Sequence, residues 1–388
     1  MDDPLGPRSI LELRDARAGL HAWVVVDNVA AGPAIGGVRL AADVGVDEVR
    51  RLARAMTLKS AAAGLPHGGA KAAIVADPRL PSSRKEELVR AFARLIGELD
   101  SYIPGPDLGT DETAMAFIHD EIGRAVGLPR VLGGLALDAI GATAVGLVAA
   151  AEVAAPACKL RLDGARVAVQ GFGAVGQHAA RLFAERGARV VAACDSSGGV
   201  VNGDGLDVAA LAAHKRARRR VRDFAGGRAT DDRELVTVDC DIFVPAARPD
   251  VIRRDNADRL RARLVVQGAN LPVTDEAERR LFERGVLSLP DFVVNAGGVI
   301  CAAVEYRGGG EREALALVRE RVAANTRELL DRSGRDGSTP RDAALAMARA
   351  RVEEAMSYRR HAKLAHPHAH PAEPKPVEPS HSFAEEPE

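Results

Sequence analysis

No stretch of this chain runs for the roughly 18 consecutive apolar residues that a membrane-spanning helix needs, so a membrane-embedded body is not expected. Cysteine is sparse and scattered. Cys158, Cys194, Cys240 and Cys301 show no CxxC spacing and no adjoining histidine cluster, so they read as small buried hydrophobes of a reducing compartment and not as zinc ligands. A charge excess is missing too: 53 Lys plus Arg stand against 54 Asp plus Glu, a formal net charge of −1. Without a global field, neither nucleic acid nor an anionic membrane is an expected partner. The opening Met1-Asp-Asp-Pro-Leu5 is acidic where a secretion signal would be basic, and a cytoplasmic location is expected.

What is present is length and pattern. A chain of 388 residues exceeds the roughly 250–300 residues at which one core stops growing, so two domains with a ligand cleft between them are expected. An apolar run at Trp23–Val26 leads to a glycine-rich turn at Ile35-Gly-Gly37 and a short strand at 38–40. Asp47 reads as the cap of a long amphipathic helix ending near Gly64, with Lys59 on its last turns. A turn at Pro66–Lys71 then opens a buried strand at 72–76. Further helices are expected at 83–99 and 110–125, around a Pro-Gly-Pro-Asp loop at 104–107.

From about Leu137 the chain turns Ala- and Val-rich, and strands alternate with helices as in a parallel sheet with crossover connections. The expected division is 1–136, an α/β domain for substrate and assembly; 137–305, a Rossmann-type dinucleotide-binding domain; 306–365, C-terminal helices broken at Gly308–Gly310; and 366–388, a disordered tail. That tail mixes Pro, His and Glu with almost no large apolar residues and cannot offset its ordering entropy. Its histidines His366, His368 and His370 form an unstructured repeat, and no metal site is expected there.

The most specific local motif is Gly171-Phe172-Gly173-Ala174-Val175-Gly176, which follows a strand at 165–170 and opens a helix. Alone, G-x-G-x-x-G is weak. Here a second strand closes with Asp195, 19 residues on, so the whole mononucleotide-binding context is present. Gly171 permits the tight turn, Gly173 lets backbone approach a pyrophosphate, and Gly176 allows close helix packing. Asp195 would accept from both ribose hydroxyls, which favours NAD and leaves NADP possible.

The N-terminal half offers Lys59, Lys71 in His67-Gly-Gly-Ala-Lys71, and Asp107. Twelve residues separate the lysines. With the Gly-Gly turn, Ala142-Thr143, Gly268-Ala-Asn270 and Asn295-Ala-Gly-Gly298, these motifs, spanning about 19–306, closely resemble the glutamate, leucine, phenylalanine and valine dehydrogenase family. The resemblance implies oxidative deamination of an L-amino acid to a 2-oxo acid and ammonia, with hydride leaving the substrate Cα for the coenzyme. By the same resemblance Lys59 holds the α-carboxylate, Lys71 is the general base and Asp107 shuttles protons. Gly37, Gly69 and Asn295 border the substrate, and Thr143 and Asn270 border the nicotinamide. A lysine serves as base near neutral pH when burial and a neighbouring cation, here Lys59, depress its pKa.

Glutamate-specific members carry a lysine and a serine for the distal carboxylate where this chain has Ile35 and Ala302. Burying an unpaired carboxylate against apolar groups costs several kcal/mol, so an aliphatic substrate of leucine or valine type is expected, with glutamate the alternative. The segments at 102–110 and 195–207 are closer to the glutamate enzymes. Hexamers or octamers are implied by the resemblance. Two other classes compete: a non-catalytic paralogue, disfavoured by the joint presence of Lys59, Lys71 and Asp107, and a nucleic-acid binder using the basic run Lys215–Arg222. That run lacks aromatics and reads more simply as a solvated helix face.

Overall fold

A computed structural model describes residues 3–231 and 233–358; the tail at 366–388, with His366, His368 and His370, lies outside the described residues. Two sheets form separately along the chain. The first contains β1 (Ser9–Asp15), β2 (Leu20–Asn28), β3 (Ala34–Ala41), β4 (Gly68–Val75) and β5 (Tyr102–Pro106), in the order β1-β2-β4-β3-β5. β4 is antiparallel to β2 and parallel to β3, which is parallel to β5.

Strand alternation decides what each face of this sheet meets. Val24, Val26, Val38, Leu40, Ala70, Ala72 and Ile74 enter one core with Phe92, Met115 and Ile118, from the helices Ser82–Leu95 and Glu112–Ile122. The intervening Val25 and Ala73 share a second cluster with Val49 and Ala53 of the helix Val46–Ala62.

Several local expectations change. The glycines at 36 and 37 lie inside β3, not in a turn before it, and Lys71 stands inside β4, not at its start. The Pro-Gly-Pro segment is the edge strand β5, where a missing N–H is tolerated because the outer side has no ladder to join. Gly45, not Asp47, is the N-cap of the long helix; Asp47 and Glu48 lie in its first turn, where their charge suits the helix dipole.

The second sheet contains β6 (Arg166–Gln170), β7 (Arg189–Asp195), β8 (Gly198–Val201), β9 (Arg228–Thr230), β10 (Ile242–Pro245), β11 (Leu264–Val266) and β12 (Leu287–Leu289). Its order is β12-β11-β10-β6-β7-β8-β9, parallel through β7, with β8 and β9 antiparallel at one edge. The α/β architecture, with a Rossmann-type sheet as the second body, is the one expected. The helix Ala142–Ala154 is apolar nearly all round because it is buried beside the helix Glu311–Asp336.

The last helix, Pro340–Tyr358, returns to the first body and packs on Val46–Ala62. Arg351 Nη1 donates to the carbonyls of Ala61 and Ala62 at 3.1 and 2.9 Å, adding a side-chain donor at the end of the helix that carries Lys59. The connection between the bodies is tied as well: Glu305 accepts from the backbone N–H groups of Leu128 and Leu135, at 2.9 and 3.0 Å.

Candidate functional site

The alternation that buries Ala70 and Ala72 turns Lys71 to the opposite face of β4, and the same period on β3 turns Ile35, Gly37 and Arg39 that way. Lys71 is 7% exposed. Its Nζ lies 2.7 Å from Asp107 Oδ2, just past the end of β5, and Arg39 Nε donates to the same oxygen at 3.0 Å. Asp107 is itself held: its backbone N–H donates to Thr110 Oγ1 at 2.9 Å, and that hydroxyl donates to Val38 O at 2.8 Å.

Gly37 makes room for this cluster. A Cβ there would stand 2.8 Å from Asp107 Cβ and 3.2 Å from Lys71 Nζ. Gly69 does the equivalent for the helix above, since its Cβ would fall 1.9 Å from the backbone nitrogen of Thr57. That close approach of β4 to Val46–Ala62 brings the two lysines to one side of the sheet.

Burial lowers the Lys71 pKa; Asp107 opposes the shift and Arg39 adds to it. Arg39 is thus a second cation acting on Lys71, beside Lys59, the expected one, with which Lys71 shares a mutual repulsion. Lys59 is lowered as well, by burial first, with Asp291 opposing and Lys71 adding. Burial alone would raise Asp107, but Lys71 and Arg39 together hold its carboxyl below the usual range. A buried amine poised toward neutrality beside a carboxylate is a competent base with a proton relay.

Where the first body meets the second, Lys59 Nζ donates to Asn295 Oδ1 at 2.7 Å, and Asn295 Nδ2 donates to Asn270 Oδ1 at 3.0 Å. Thr143 joins this corner through its backbone: a Cβ on Gly297 would lie 2.7 Å from Thr143 N. The structure thus brings Lys59, Asn295 and Asn270 together, and Lys71 with Asp107, while Thr143 lies against Gly297, two residues on from Asn295. Ile35 and Ala302 are both buried, at 3% and 7% exposure, and belong to one apolar cluster with Ile103.

The glycine turn leaves β6 at the point where its neighbours are β7 on one side and β10 on the other, the place where open α/β sheets bind ligands. Gly171 has φ +102°, and a Cβ there would strike Ala247; a Cβ on Gly176 would lie 1.8 Å from Gly171 O. Gly173, by contrast, faces open space. Those three properties fit a dinucleotide pyrophosphate laid over the N-terminus of the helix Ala174–Ala184, with Phe172 buried beneath. A cleft of about 530 Å³ is lined there by Gly171, Phe172, Gly173, Asp195, Ser196, Lys215 and Arg248, among others. Ala174 and Val175 open the helix itself.

Sequence reasoning missed Arg39 and Lys215 as site residues. Alternation from Lys71 through a paired strand could have found Arg39; nothing local announces Lys215, whose ammonium pairs with Asp195 Oδ2 across 20 residues. Nor is the basic run a helix face. The helix Val208–Arg216 ends inside it, and the rest folds back as a loop and a short turn at Val221–Asp223. Among the described residues no group of three or more His, Cys, Asp or Glu could hold a metal ion, and no helix is long and apolar enough to cross a membrane.

Comparison with known proteins matches both bodies. Residues 7–124 fit the family model described as the Glu/Leu/Phe/Val dehydrogenase dimerisation domain, and residues 133–360 fit the Glutamate/Leucine/Phenylalanine/Valine dehydrogenase model. The chain is 37% identical over 360 residues to the glutamate dehydrogenase of Aeropyrum pernix, covering 87% of this chain and 86% of that protein. It is 35% identical over 358 residues to the NADP-specific glutamate dehydrogenase of Saccharolobus shibatae, covering 87% and 84%. Among solved structures it resembles the hetero-hexameric glutamate dehydrogenase of Thermus thermophilus in its leucine-bound form, at TM-score 0.78 and 34% identity, over 91% of this chain and 90% of that one.

Proposed function

We infer the reaction from one premise: the chain belongs to the Glu/Leu/Phe/Val dehydrogenase family, with both of whose domain models it matches, and is an NAD(P)-dependent amino-acid dehydrogenase. The substrate we assign is L-glutamate, deaminated oxidatively to its 2-oxo acid and ammonia. The observation that carries the chemistry is the pair of buried Lys71 with Asp107 at 2.7 Å, close enough to Lys59 for the two ammonium groups to interact. The choice of glutamate is supported by relatives of that name which align along most of the chain.

Each residue then has a task. Lys59 binds the substrate α-carboxylate as a point charge, beside Gly37, Gly69 and Asn295. When bound, the coenzyme supplies the acceptor for the hydride leaving the substrate Cα. Thr143, Asn270 and Asn295 border its nicotinamide end, and residues 171–176 with Asp195 hold its phosphates and adenosine ribose. Lys71 Nζ accepts a proton from the water that adds to the iminium carbon. Asp107 Oδ2 relays protons between that ammonium, water and the departing amine, while Arg39 fixes the carboxylate's orientation. Substrate handling is assigned to residues 1–136 and coenzyme binding to 137–305, with the helices Glu311–Asp336 and Pro340–Tyr358 bracing both.

A second reading has its own observation. Ile35 and Ala302 are apolar and buried, and favour a leucine- or valine-type side chain, because a distal carboxylate set against them would lack a counter-charge. Formation of NADH and NADPH with glutamate, leucine, valine and phenylalanine, for the protein and for Lys71→Ala, separates the readings. Glutamate turnover that vanishes in the variant supports the first, and turnover of the aliphatic amino acids alone supports the second. Silence with all four would remove the catalytic assignment. A homo-oligomer of cytoplasmic enzyme, a hexamer or octamer assembled through residues 7–124, completes the proposal, and light scattering on the purified protein checks its mass.

A further inference from the structure

A cation in the first turn of a helix works against the helix dipole, yet Arg341 stands at the second position of the helix Pro340–Tyr358. Buried acceptors of the second body hold it there. Its Nη2 donates to Asp291 Oδ1 at 2.7 Å and to Gln267 Oε1 at 3.2 Å, and its Nε donates to Glu278 Oε1 at 3.2 Å. The side chains of Arg341, Glu278 and Asp291 are 11%, 3% and 6% exposed. Burial pushes the Glu278 carboxyl up, toward its neutral form, which leaves Asp291 as the carboxylate that balances Arg341. A buried ion pair adds little stability over an apolar replacement, so what this pair touches is the more informative property.

Asp291 touches three parts of the site. Its Oδ2 accepts from the backbone N–H of Leu271 at 2.9 Å, and its carbonyl accepts from the N–H of Asn295 at 2.8 Å. Burial lowers the Lys59 pKa, and the Asp291 charge opposes that shift. Leu271 directly follows Asn270 and has φ +49°, a left-handed conformation that a bulky side chain disfavours. Its side chain is not what keeps it there, being 58% exposed. The backbone is held instead, by Asp291 on the N–H and by the N–H of Asp250 on the carbonyl at 3.0 Å. Strain of this kind persists where the surroundings over-determine it.

Resting on the assignment of Asn270 to the nicotinamide end, we propose that Asp291, fixed by Arg341, is a positioning residue for the coenzyme: it holds Leu271 in its strained turn and so sets Asn270 against Asn295. Both Asp291 oxygens accept, one from each of two donors. An asparagine there offers one acceptor and turns its NH₂ on the other donor. The guanidinium, as the charged donor, takes the oxygen, and the Leu271 N–H loses its partner.

Calorimetric titration of the whole protein with NADH, NADPH and adenosine 5′-monophosphate tests this without amino acid. In Asp291→Asn the coenzyme that the native protein binds should weaken about tenfold or more, the worth of a hydrogen bond to a carboxylate, while the monophosphate holds because it reaches only the glycine turn and Asp195. Steady-state kinetics should show the same factor in the coenzyme KM, and a rise in the amino-acid KM because Lys59 loses a nearby carboxylate. Adding Leu271→Gly, which takes a left-handed turn without strain, should recover most of the coenzyme loss and none of the amino-acid loss. Loosening of the fold as a whole would show no such selective rescue. Arg341→Lys keeps the charge without the fork that reaches all three acceptors, and should give the same pattern at about threefold or more, which carries the test should Asp291→Asn not fold.

Equal weakening of coenzyme and monophosphate, unchanged coenzyme binding in Asp291→Asn, or no recovery on adding Leu271→Gly overturns the proposal. Asn270→Ala separates it from the reading beneath. If coenzyme weakens in Asn270→Ala but not in Asp291→Asn, the positioning role alone falls. If Asn270→Ala binds coenzyme as the native protein does, the nicotinamide role of Asn270 falls and the positioning role with it.

Discussion

Lys59 Nζ and Asn295 Oδ1 meet at 2.7 Å, joining the helix Val46–Ala62 of the first body to the short connection before the helix Gly297–Tyr306 of the second. Asn295 in turn donates to Asn270, so one chain of hydrogen bonds links the proposed carboxylate site to the proposed nicotinamide site. A substrate carboxylate on Lys59 is read by the same ammonium that Asn295 orients. Lys59→Ala should therefore raise KM for the amino acid, and kcat/KM should fall about 10- to 150-fold, the worth of a hydrogen bond to a charged group. Asn295→Ala should raise KM for both amino acid and coenzyme. Steady-state kinetics with each substrate varied in turn checks both, and a change confined to kcat would remove the carboxylate role from Lys59.

The pH profile follows from Lys71. A base in the deamination direction must be neutral, so activity rises with pH through its pKa, and burial places that rise below the ordinary lysine range. Asp107 opposes the lowering, so removing its charge must depress the Lys71 pKa further. In Asp107→Asn the rising limb of kcat/KM against pH should move to lower pH even as the rate falls. Lys71→Ala should lose the limb altogether, with a rate loss of about 10²- to 10⁴-fold. A limb that stays in place in Asp107→Asn would show that Lys71 is not the group titrating.

Gly69 sets the spacing of the two lysines, because β4 and the helix Val46–Ala62 touch there backbone to backbone. Gly69→Ala places a methyl 1.9 Å from Thr57 N, with main chain on both sides and no flexible side chain to yield. The helix must lift, carrying Lys59 away from Lys71. Destabilisation of about 1–3 kcal/mol is expected from overpacking of this kind, measured by urea unfolding, together with a larger loss of kcat/KM than that stability change accounts for. Gly173→Ala is the contrasting case, since its Cβ meets only open space. It should leave folding stability intact while weakening the coenzyme.

Much of this was legible in the residues. The second body is announced by Val- and Ala-rich strands, a glycine turn and Asp195 at fixed offsets, all local features. Lys59, Lys71 and Asp107 were found by motif, but their geometry was not. The glycines at 36 and 37 look like turn residues, yet they sit in β3 because a Cβ on Gly36 would stand 1.9 Å from Ala70 O and one on Gly37 would crowd Asp107. That demand comes from β4 and β5, more than 30 residues away. β1 was missed because it is an edge strand whose residues are half-buried or exposed throughout. Arg39 and Lys215 escaped for a related reason: Arg39 meets its carboxylate only after β3 pairs with β5, and Lys215 only after the helix Val208–Arg216 folds back on the end of β7.

The side-chain end of the substrate site offers the sharpest test of specificity. Ile35 and Ala302 are buried apolar residues, so a distal carboxylate placed against them would face groups that cannot hydrogen-bond to it. Ile35→Lys combined with Ala302→Ser supplies one ammonium and one hydroxyl at those two positions. If both residues bound the side chain, the double variant should gain at least tenfold in kcat/KM for glutamate and lose at least as much for leucine, because a new buried cation repels an aliphatic group by its own desolvation. The single changes should fall short of the pair, since the two groups would act on one carboxylate. Parallel kinetics with both amino acids reads the result, and circular dichroism confirms that the variant is folded. An unchanged glutamate-to-leucine ratio in a folded double variant would place the side-chain pocket elsewhere and leave glutamate recognition to residues outside this apolar corner.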